Sequence, residues 1–144
     1  MHTTSSTIRL FLNLSKTQSI LSHRFDRGLG GLGFSEFLIL YYLDQDDNQK
    51  MRRVDLAEKI GMTASGVTRL LLPMEKVHLI KSGPEEKDAR VRFVMPTVAG
   101  KQKLSEALAR LEEFAEEVLP DVQAKEINML SDLLLLIGGK VLMA

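Results

Sequence analysis

The stretch from residue 53 to residue 77, RVDLAEKIGMTASGVTRLLLPMEKV, constrains the fold of this chain most. Gly61 interrupts a run of residues with helical spacing, so the stretch divides into a short helix and a second, longer one. Thr63 stands just before the second segment, where a hydroxyl caps a helix. The spacing predicts that three residues of the first segment face inward: Val54, Ala57 and Ile60.

Three residues at spacings of four and six define how these two helices pack. Ala57 is small enough to let the helices approach, Gly61 takes the tight turn, and the β-branched Val67 packs the second helix on the first. The positions between the apolar residues of the second helix are polar and suit a DNA groove. The pattern therefore predicts a helix-turn-helix with a polar recognition face.

The segment that follows predicts a β-hairpin. Residues 79–82 and 91–95 have strand-like composition, Gly83 and Pro84 break the chain between them, and residues 85–90 form a charged tip. Pro96 ends the second strand. A hairpin directly after a helix-turn-helix is a wing.

Amphipathic helices are predicted on both sides of this module. Residues 7–26 form a first helix, and a second helix capped by Ser35 ends in the acidic turn 44–48. After the hairpin, residues 97–119 form a long helix that Pro120 stops, and residues 123–142 form the last one. The two C-terminal helices carry apolar stripes and no catalytic motif, so a second copy of the chain is their expected partner.

Composition narrows the classes of function. The 144 residues suffice for about one domain. The absence of cysteine excludes disulfides, thiolate zinc sites and cysteine nucleophiles, and the three histidines are too scattered to form a metal site. No apolar run approaches the roughly 20 residues of a membrane span. We expect a cytoplasmic protein with no membrane partner, no metal, no cofactor and no enzymatic activity.

Charge is unevenly distributed although the formal net charge is zero. Residues 50–92 hold ten Lys or Arg and six Asp or Glu, a balance of +4, whereas residues 101–144 hold five basic and eight acidic groups, a balance of −3. A basic middle segment between acidic ends fits a DNA-contacting module on a scaffold that does not touch DNA.

The glycines at 28, 30 and 33 also match the dinucleotide-binding pattern G-x-G-x-x-G. That fingerprint needs a β-strand before its first glycine and a βαβ unit around it. An amphipathic helix precedes Gly28 instead, so we interpret the glycines as a connector between two helices. Four glycines in six residues also suggest a hinge that lets the lobes of a dimer adjust their spacing on DNA.

Together, these residues resemble the MarR family of winged helix-turn-helix transcriptional regulators over nearly the whole chain. The similarity is strongest in VDLAEKIGMTASGVTRLLLPMEKVHLI, in KDAR and in PTVAGKQKL. Within these segments, Ser65–Arg69 resembles the family's S-x-x-T-R recognition helix, 88–90 its D-x-R wing tip, and 97–100 its T-x-x-G step into the fifth helix. The family usually continues helical where this chain has Pro73, so we expect a kink or a tightened segment near residues 70–74.

The resemblance implies a mainly α fold of about six helices with a small β-hairpin wing and a helical dimerisation region. Residues 1–33 would form the N-terminal helix and glycine hinge, 34–96 the DNA-binding lobe, and 97–144 the C-terminal dimerisation helices. It further implies a homodimer on a pseudo-palindromic double-stranded DNA operator. A small aromatic acid or phenol that binds between the dimer base and the lobe would release a repressor from DNA.

Several residues are candidates for contact with DNA. On the recognition helix, Ser65, Thr68 and Arg69 can reach base edges or phosphates, and Gly66 permits either close approach of DNA or tight helix packing. At the wing, Arg90 can enter the minor groove; Asp88 can orient it or, as the resemblance implies, bond the base of the wing instead. The expected phosphate contacts come from four further residues: Lys87, Arg92, Arg52 and Arg53.

Two other possibilities stay open at this stage. His23 lies near the junction of the lobes and is a candidate ligand contact. The module could also bind proteins rather than DNA, although protein-binding winged helices tend to expose apolar residues on the face that here carries Ser65, Thr68 and Arg69.

Overall fold

The computed structural model describes residues 1–84, 87–88 and 90–144, and this part of the chain forms six α-helices and three short strands. In chain order they are α1 (Ser6–Arg24), α2 (Phe34–Gln45), β1 (Met51–Arg52), α3 (Arg53–Ile60), α4 (Ala64–Lys76), β2 (Ile80–Pro84), β3 (Arg92–Pro96), α5 (Val98–Val118) and α6 (Ala124–Met143). The predicted architecture, mainly helical with a hairpin wing, is confirmed. Of the predicted wing tip, residues 85, 86 and 89 lie outside the described residues.

The chain divides into two compact units. Met1–Leu111 form the first unit, which contains the helix-turn-helix and the sheet, and Glu112–Ala144 form the second, which contains the end of α5 and all of α6. The sequence-based division at residues 33 and 96 stays a prediction.

The core of the first unit lies where α2, α3 and α4 meet the sheet. The chain places aliphatic residues at helical spacing on each of these helices, and those side chains are withdrawn from solvent. One residue from each of the strands β2 and β3 completes this core. The fully buried side chains of these helices and strands are Ile39, Leu40, Leu43, Leu56, Val67, Leu71, Met74, Ile80 and Val94. One prediction of an inward residue is wrong: Val54 is 56% exposed, because the α3 stripe is carried by Leu56 and Ala57.

The start of α2 differs from expectation. Ser35 does not cap α2; it lies inside the helix, and Gly33 is the N-cap residue. The Glu36 carboxylate reaches back and accepts a hydrogen bond from the Gly33 N–H at 3.0 Å, and no side chain caps the first turn of α2. Pro73 lies inside α4, which stays α-helical through Lys76, and the kink or tightened segment expected near residues 70–74 stays a prediction.

The sheet has strand order β1-β3-β2 and is antiparallel throughout. Gly83 and Pro84 do not break the hairpin as predicted; they belong to β2 and pair with Phe93 and Arg92. Pro84 is tolerated because β2 is an edge strand, where one N–H can be missing. The two-residue strand β1 was missed, since it is too short to show a period of two.

The glycine stretch is a connector between α1 and α2, as the helical flanks predicted, and not a dinucleotide loop. Leu29 and Leu32 bridge to each other and are only 1% and 2% exposed. Between them, Gly30 and Gly31 have φ of 68° and 93°, values that favour glycine and suit a tight turn. Lys103 of α5 donates a hydrogen bond to the Gly30 carbonyl at 3.0 Å, so this turn is anchored on both sides.

Candidate nucleic-acid interface

The turn between α3 and α4 fixes how the recognition helix is presented. Gly61 ends α3 in the left-handed conformation, with φ of 76°, and its N–H bonds to the Ala57 carbonyl at 2.9 Å. Ala57 and Val67 are buried on either side of the turn, as predicted. The Thr63 hydroxyl caps α4 by accepting from the Gly66 N–H at 3.1 Å. The sequence pattern therefore corresponds to a rigid helix-turn-helix.

The first turns of α4 present a polar face. Ser65 and Arg69 are exposed, whereas Gly66 and Thr68 are partly buried. A Cβ added at Gly66 would stand 3.1 Å from the Thr63 Oγ1 and 3.3 Å from the Met62 Cε. Gly66 therefore makes room for the capping residue and for Met62, which favours tight local packing over close approach of DNA.

Arg53 connects α3 to the recognition helix. Its Nη1 donates a hydrogen bond to the Thr68 Oγ1 at 3.3 Å. The threonine hydroxyl keeps its own proton to donate, so the contact fixes the Thr68 rotamer without removing its capacity to bond a base or a phosphate. Sequence inspection had assigned Arg53 only a phosphate contact.

An ion pair at the start of α3 holds the side chain of Arg52. Its Nε and Nη2 donate to the two carboxylate oxygens of Asp55 at 2.8 Å and 3.1 Å. Both side chains are about half exposed, and a surface pair of this kind contributes at most about 1 kcal/mol. The assignment of Arg52 to a phosphate contact stays a prediction.

At the wing, the predicted pairing of Asp88 with Arg90 is confirmed. The Asp88 Oδ1 accepts from the Arg90 backbone N–H at 3.0 Å and from its Nε at 3.2 Å. The Arg90 side chain is 92% exposed, so its guanidinium projects into solvent, and its remaining donors meet no acceptor among the described residues. Lys87 and Arg92 are exposed as well.

One basic residue near this surface escaped the sequence analysis. Lys50 places its Nζ 4.8 Å from the centroid of the Phe93 ring, on the central strand of the sheet. A cation over an aromatic face is attracted by the ring quadrupole, so Phe93 holds the lysine beside the wing. A lysine and a phenylalanine 43 residues apart in sequence give no local signal of such a contact.

His23 lines a cleft of about 480 Å³ in the first unit. The cleft lies between the end of α1, the start of α2 and the middle of α4, where Leu70 follows directly on Arg69. Its lining combines an aromatic ring, an imidazole and two carboxylates: Phe34, His23, Asp26 and Glu36. A volume of this order accommodates a small organic molecule.

Other site types find no support in the described part of the chain. Among those residues, no group of three or more His, Cys, Asp or Glu could hold a metal ion. No helix there combines the length and the apolar content that crossing a membrane requires.

Comparison with known proteins connects this geometry to one family. No family model matches the chain. An uncharacterised HTH-type transcriptional regulator of Bacillus subtilis, YdgJ, is 27% identical over 96 residues, which are 67% of this chain and 56% of that protein. The aligned part therefore spans little more than half of the relative's length.

Solved structures are similar over the full chain. AbsC, a MarR family transcriptional regulator from Streptomyces coelicolor, superimposes with a TM-score of 0.82 at 19% identity, covering 100% of both chains. Sco3205, a MarR family regulator from the same organism solved in complex with DNA, gives a TM-score of 0.80 at 17% identity, covering 96% of this chain and 89% of that one. The resemblance to MarR regulators is thus confirmed, and the chain has their winged helix fold.

Proposed function

We propose that this chain, which has the winged helix-turn-helix fold of MarR family regulators, is a sequence-specific DNA-binding transcriptional regulator. The observation that carries the proposal is the pairing of a capped recognition helix with a wing whose Arg90 is 92% exposed. A helix of this kind enters the major groove, and an arginine at a hairpin tip suits the narrow, electronegative minor groove. The polar face of α4 supports a DNA partner over a protein partner.

The proposed DNA contacts fall into two groups, those to base edges and those to phosphates. Ser65, Thr68 and Arg69 have donors for base edges, and Arg69 makes no ion pair with any described residue. The cations around them, Arg52, Lys87 and Arg92, are assigned to phosphates, which position the protein without specifying sequence. Arg53 is assigned to orienting Thr68, with phosphate as a second partner.

A homodimer is proposed from the apolar surface of the two terminal helices. Neither α1 nor α6 has a buried residue in the single chain, although both carry large apolar side chains. The exposed set includes Ile8, Phe11 and Leu12 on α1 and Ile127, Leu130, Leu134 and Val141 on α6. Faces of this size are covered in a stable protein, and a second copy would also supply the second lobe for a pseudo-palindromic operator.

Regulation by a small molecule is proposed at the cleft that His23 lines. The cleft touches α4 at Leu70, next to Arg69, so a ligand there can displace the recognition face. Its ring and imidazole suit an aromatic acid or a phenol, and the carboxylates of Asp26 and Glu36 favour the phenol, whose hydroxyl can donate to them. Release from a promoter site would make the protein a ligand-responsive repressor.

The proposed DNA binding is tested by fluorescence anisotropy with the chain's own upstream DNA as a labelled duplex. Arg90→Ala should weaken binding about tenfold and leave the melting temperature unchanged, because the side chain makes only an exposed local pair. Lys125→Ala, which removes an exposed cation from α6, is the matched control. Binding that does not change between low and moderate salt would contradict the proposal, since phosphate contacts release counterions.

A further inference from the structure

The chain leaves the recognition helix through an irregular but fully bonded turn. After α4 ends at Lys76, the His78 N–H donates to the Glu75 carbonyl and the Leu79 N–H to the Met74 carbonyl, both at 3.0 Å. His78 has φ of 61°, in the left-handed region. These bonds satisfy carbonyls of the last helical turn and direct the chain into β2, which begins at Ile80.

One hydroxyl group joins this turn to α5. The Thr97 Oγ1 donates its proton towards the His78 carbonyl at 2.6 Å and the Leu79 carbonyl at 3.1 Å. The same oxygen accepts from the Gly100 N–H at 3.0 Å and so caps α5. The Thr97 backbone N–H also donates to the Leu79 carbonyl at 3.0 Å.

Gly100 brings the two segments as close as backbone allows. A Cβ added at this position would stand 2.0 Å from the Leu79 carbonyl oxygen, a separation that no real pair of atoms shows. The first turn of α5 therefore rests directly on the carbonyl that Thr97 bonds. We call the group of His78, Leu79, Thr97 and Gly100 the α4–α5 clamp.

The clamp includes the turn between α4 and β2, so a change in it can tilt the recognition helix. The 13 residues of α4 span about 20 Å at a rise of 1.5 Å per residue. A tilt of about 5° at the clamped end would move the far end of α4, near Ser65, by up to roughly 1.7 Å, and Thr68 by roughly 1 Å. A displacement of that size exceeds the roughly 0.5 Å within which a recognition geometry must be held.

We propose that Thr97 is a positioning residue for sequence-specific DNA recognition, acting through the α4–α5 clamp rather than by touching DNA. The inference rests on the proposed function, because it assigns how that function gains its specificity. Removing the hydroxyl takes a donor from the His78 carbonyl and the acceptor from the Gly100 N–H, and leaves the Leu79 carbonyl with the Thr97 backbone N–H. Every residue assigned to DNA contact is kept. Specific binding should therefore suffer more than non-specific binding, which needs only the unchanged positive charge.

The test compares Thr97→Val, which is isosteric but has no hydroxyl, with Thr97→Ser, which keeps it. At a temperature well below the melting point of every variant, Thr97→Val should lose about tenfold or more in operator affinity. Its affinity for a scrambled duplex and the salt dependence of that affinity should stay within about twofold of the wild type. Thr97→Ser should bind the operator nearly as well as the wild type. Ser105→Ala, at an exposed position two turns further along α5, controls for the loss of any hydroxyl from this helix.

Hydrogen exchange without DNA separates failure of this inference from failure of the proposed function. The Gly100 amide should exchange faster in Thr97→Val and at the wild-type rate in Thr97→Ser and Ser105→Ala. If the wild-type protein binds no DNA, the proposed function is wrong, and the role of the clamp in DNA recognition is wrong with it. Operator binding by Thr97→Val at wild-type strength, even with a lower melting temperature, would reduce Thr97 to a structural residue and refute the inference.

Discussion

A single methyl group added at Gly100 is expected to destabilise the fold by about 2–4 kcal/mol. The new Cβ would stand 2.0 Å from the Leu79 oxygen, and atoms of this kind are not found closer than 3.0 Å, so α5 and the Leu79 carbonyl must separate by at least 1.0 Å. Leu40 Cδ2, at 3.2 Å, can move aside because it ends a flexible side chain. The Leu79 carbonyl cannot, because Thr97 holds it through two hydrogen bonds.

The magnitude follows from those contacts. Stretching the two hydrogen bonds of the Leu79 carbonyl costs about 1 kcal/mol each, and overpacking adds about 1–3 kcal/mol. The higher helix propensity of alanine offsets up to about 1 kcal/mol of this destabilisation. At about 2–4 °C per kcal/mol for a chain of this size, the melting temperature should fall by roughly 5–15 °C.

The assay is thermal unfolding followed by circular dichroism at a fixed protein concentration. Gly139→Ala is the matched control, because Gly139 lies in α6 opposite the apolar stripe and an added Cβ there would meet nothing within 4 Å. That variant should melt at or slightly above the wild-type temperature, since only helix propensity changes. A Gly100→Ala protein that melts as high as Gly139→Ala would refute the steric reasoning.

Three further outcomes are expected. Thr63→Ala should lower stability by about 1 kcal/mol and speed hydrogen exchange at Gly66, whose N–H loses its cap; unchanged exchange would mean that the hydroxyl contributes nothing. Phe11→Ser should raise the dimer dissociation constant in sedimentation equilibrium while leaving the far-ultraviolet spectrum intact, and an unaltered constant would remove α1 from the proposed interface. Gly31→Asn should weaken operator binding, because asparagine tolerates the positive φ and fits the open space at this position but has less backbone freedom than glycine. Operator affinity equal to that of the wild type would mean that the glycines are connectors and not a hinge.

Much of the fold was predictable because its signals are local. Helical spacing of apolar residues located all six helices to within a few residues, and the spacing of Ala57, Gly61 and Val67 identified the helix-turn-helix. Prediction failed where a tertiary contact overrode a local preference. Gly83 and Pro84 are turn residues by composition, yet pairing with β3 keeps them in a strand. At α2 the difference is local: the helix begins at Phe34, so Ser35 lies inside it and Gly33 is the N-cap residue.

The candidate interface shows the same division. Asp88 and Arg90 stand two residues apart, so their pairing could be predicted from sequence. The hydrogen bond from Arg53 to Thr68 and the stacking of Lys50 on Phe93 join residues 15 and 43 positions apart, and neither leaves a local pattern. Such contacts form only when the elements that carry the two partners pack together.

The sequence by itself determined which segments are helical, to within a few residues at each end, which residues are polar on the recognition helix, and where positive charge concentrates. Each of these depends on residue type and on spacing within a few positions. Tertiary structure alone decided what Thr97 and Gly100 do. A threonine three residues before a glycine indicates only a helix start, but packing places the Leu79 carbonyl 2.0 Å from where a Cβ would stand. Only a residue without a side chain allows α5 to pack this closely against the turn that follows the recognition helix.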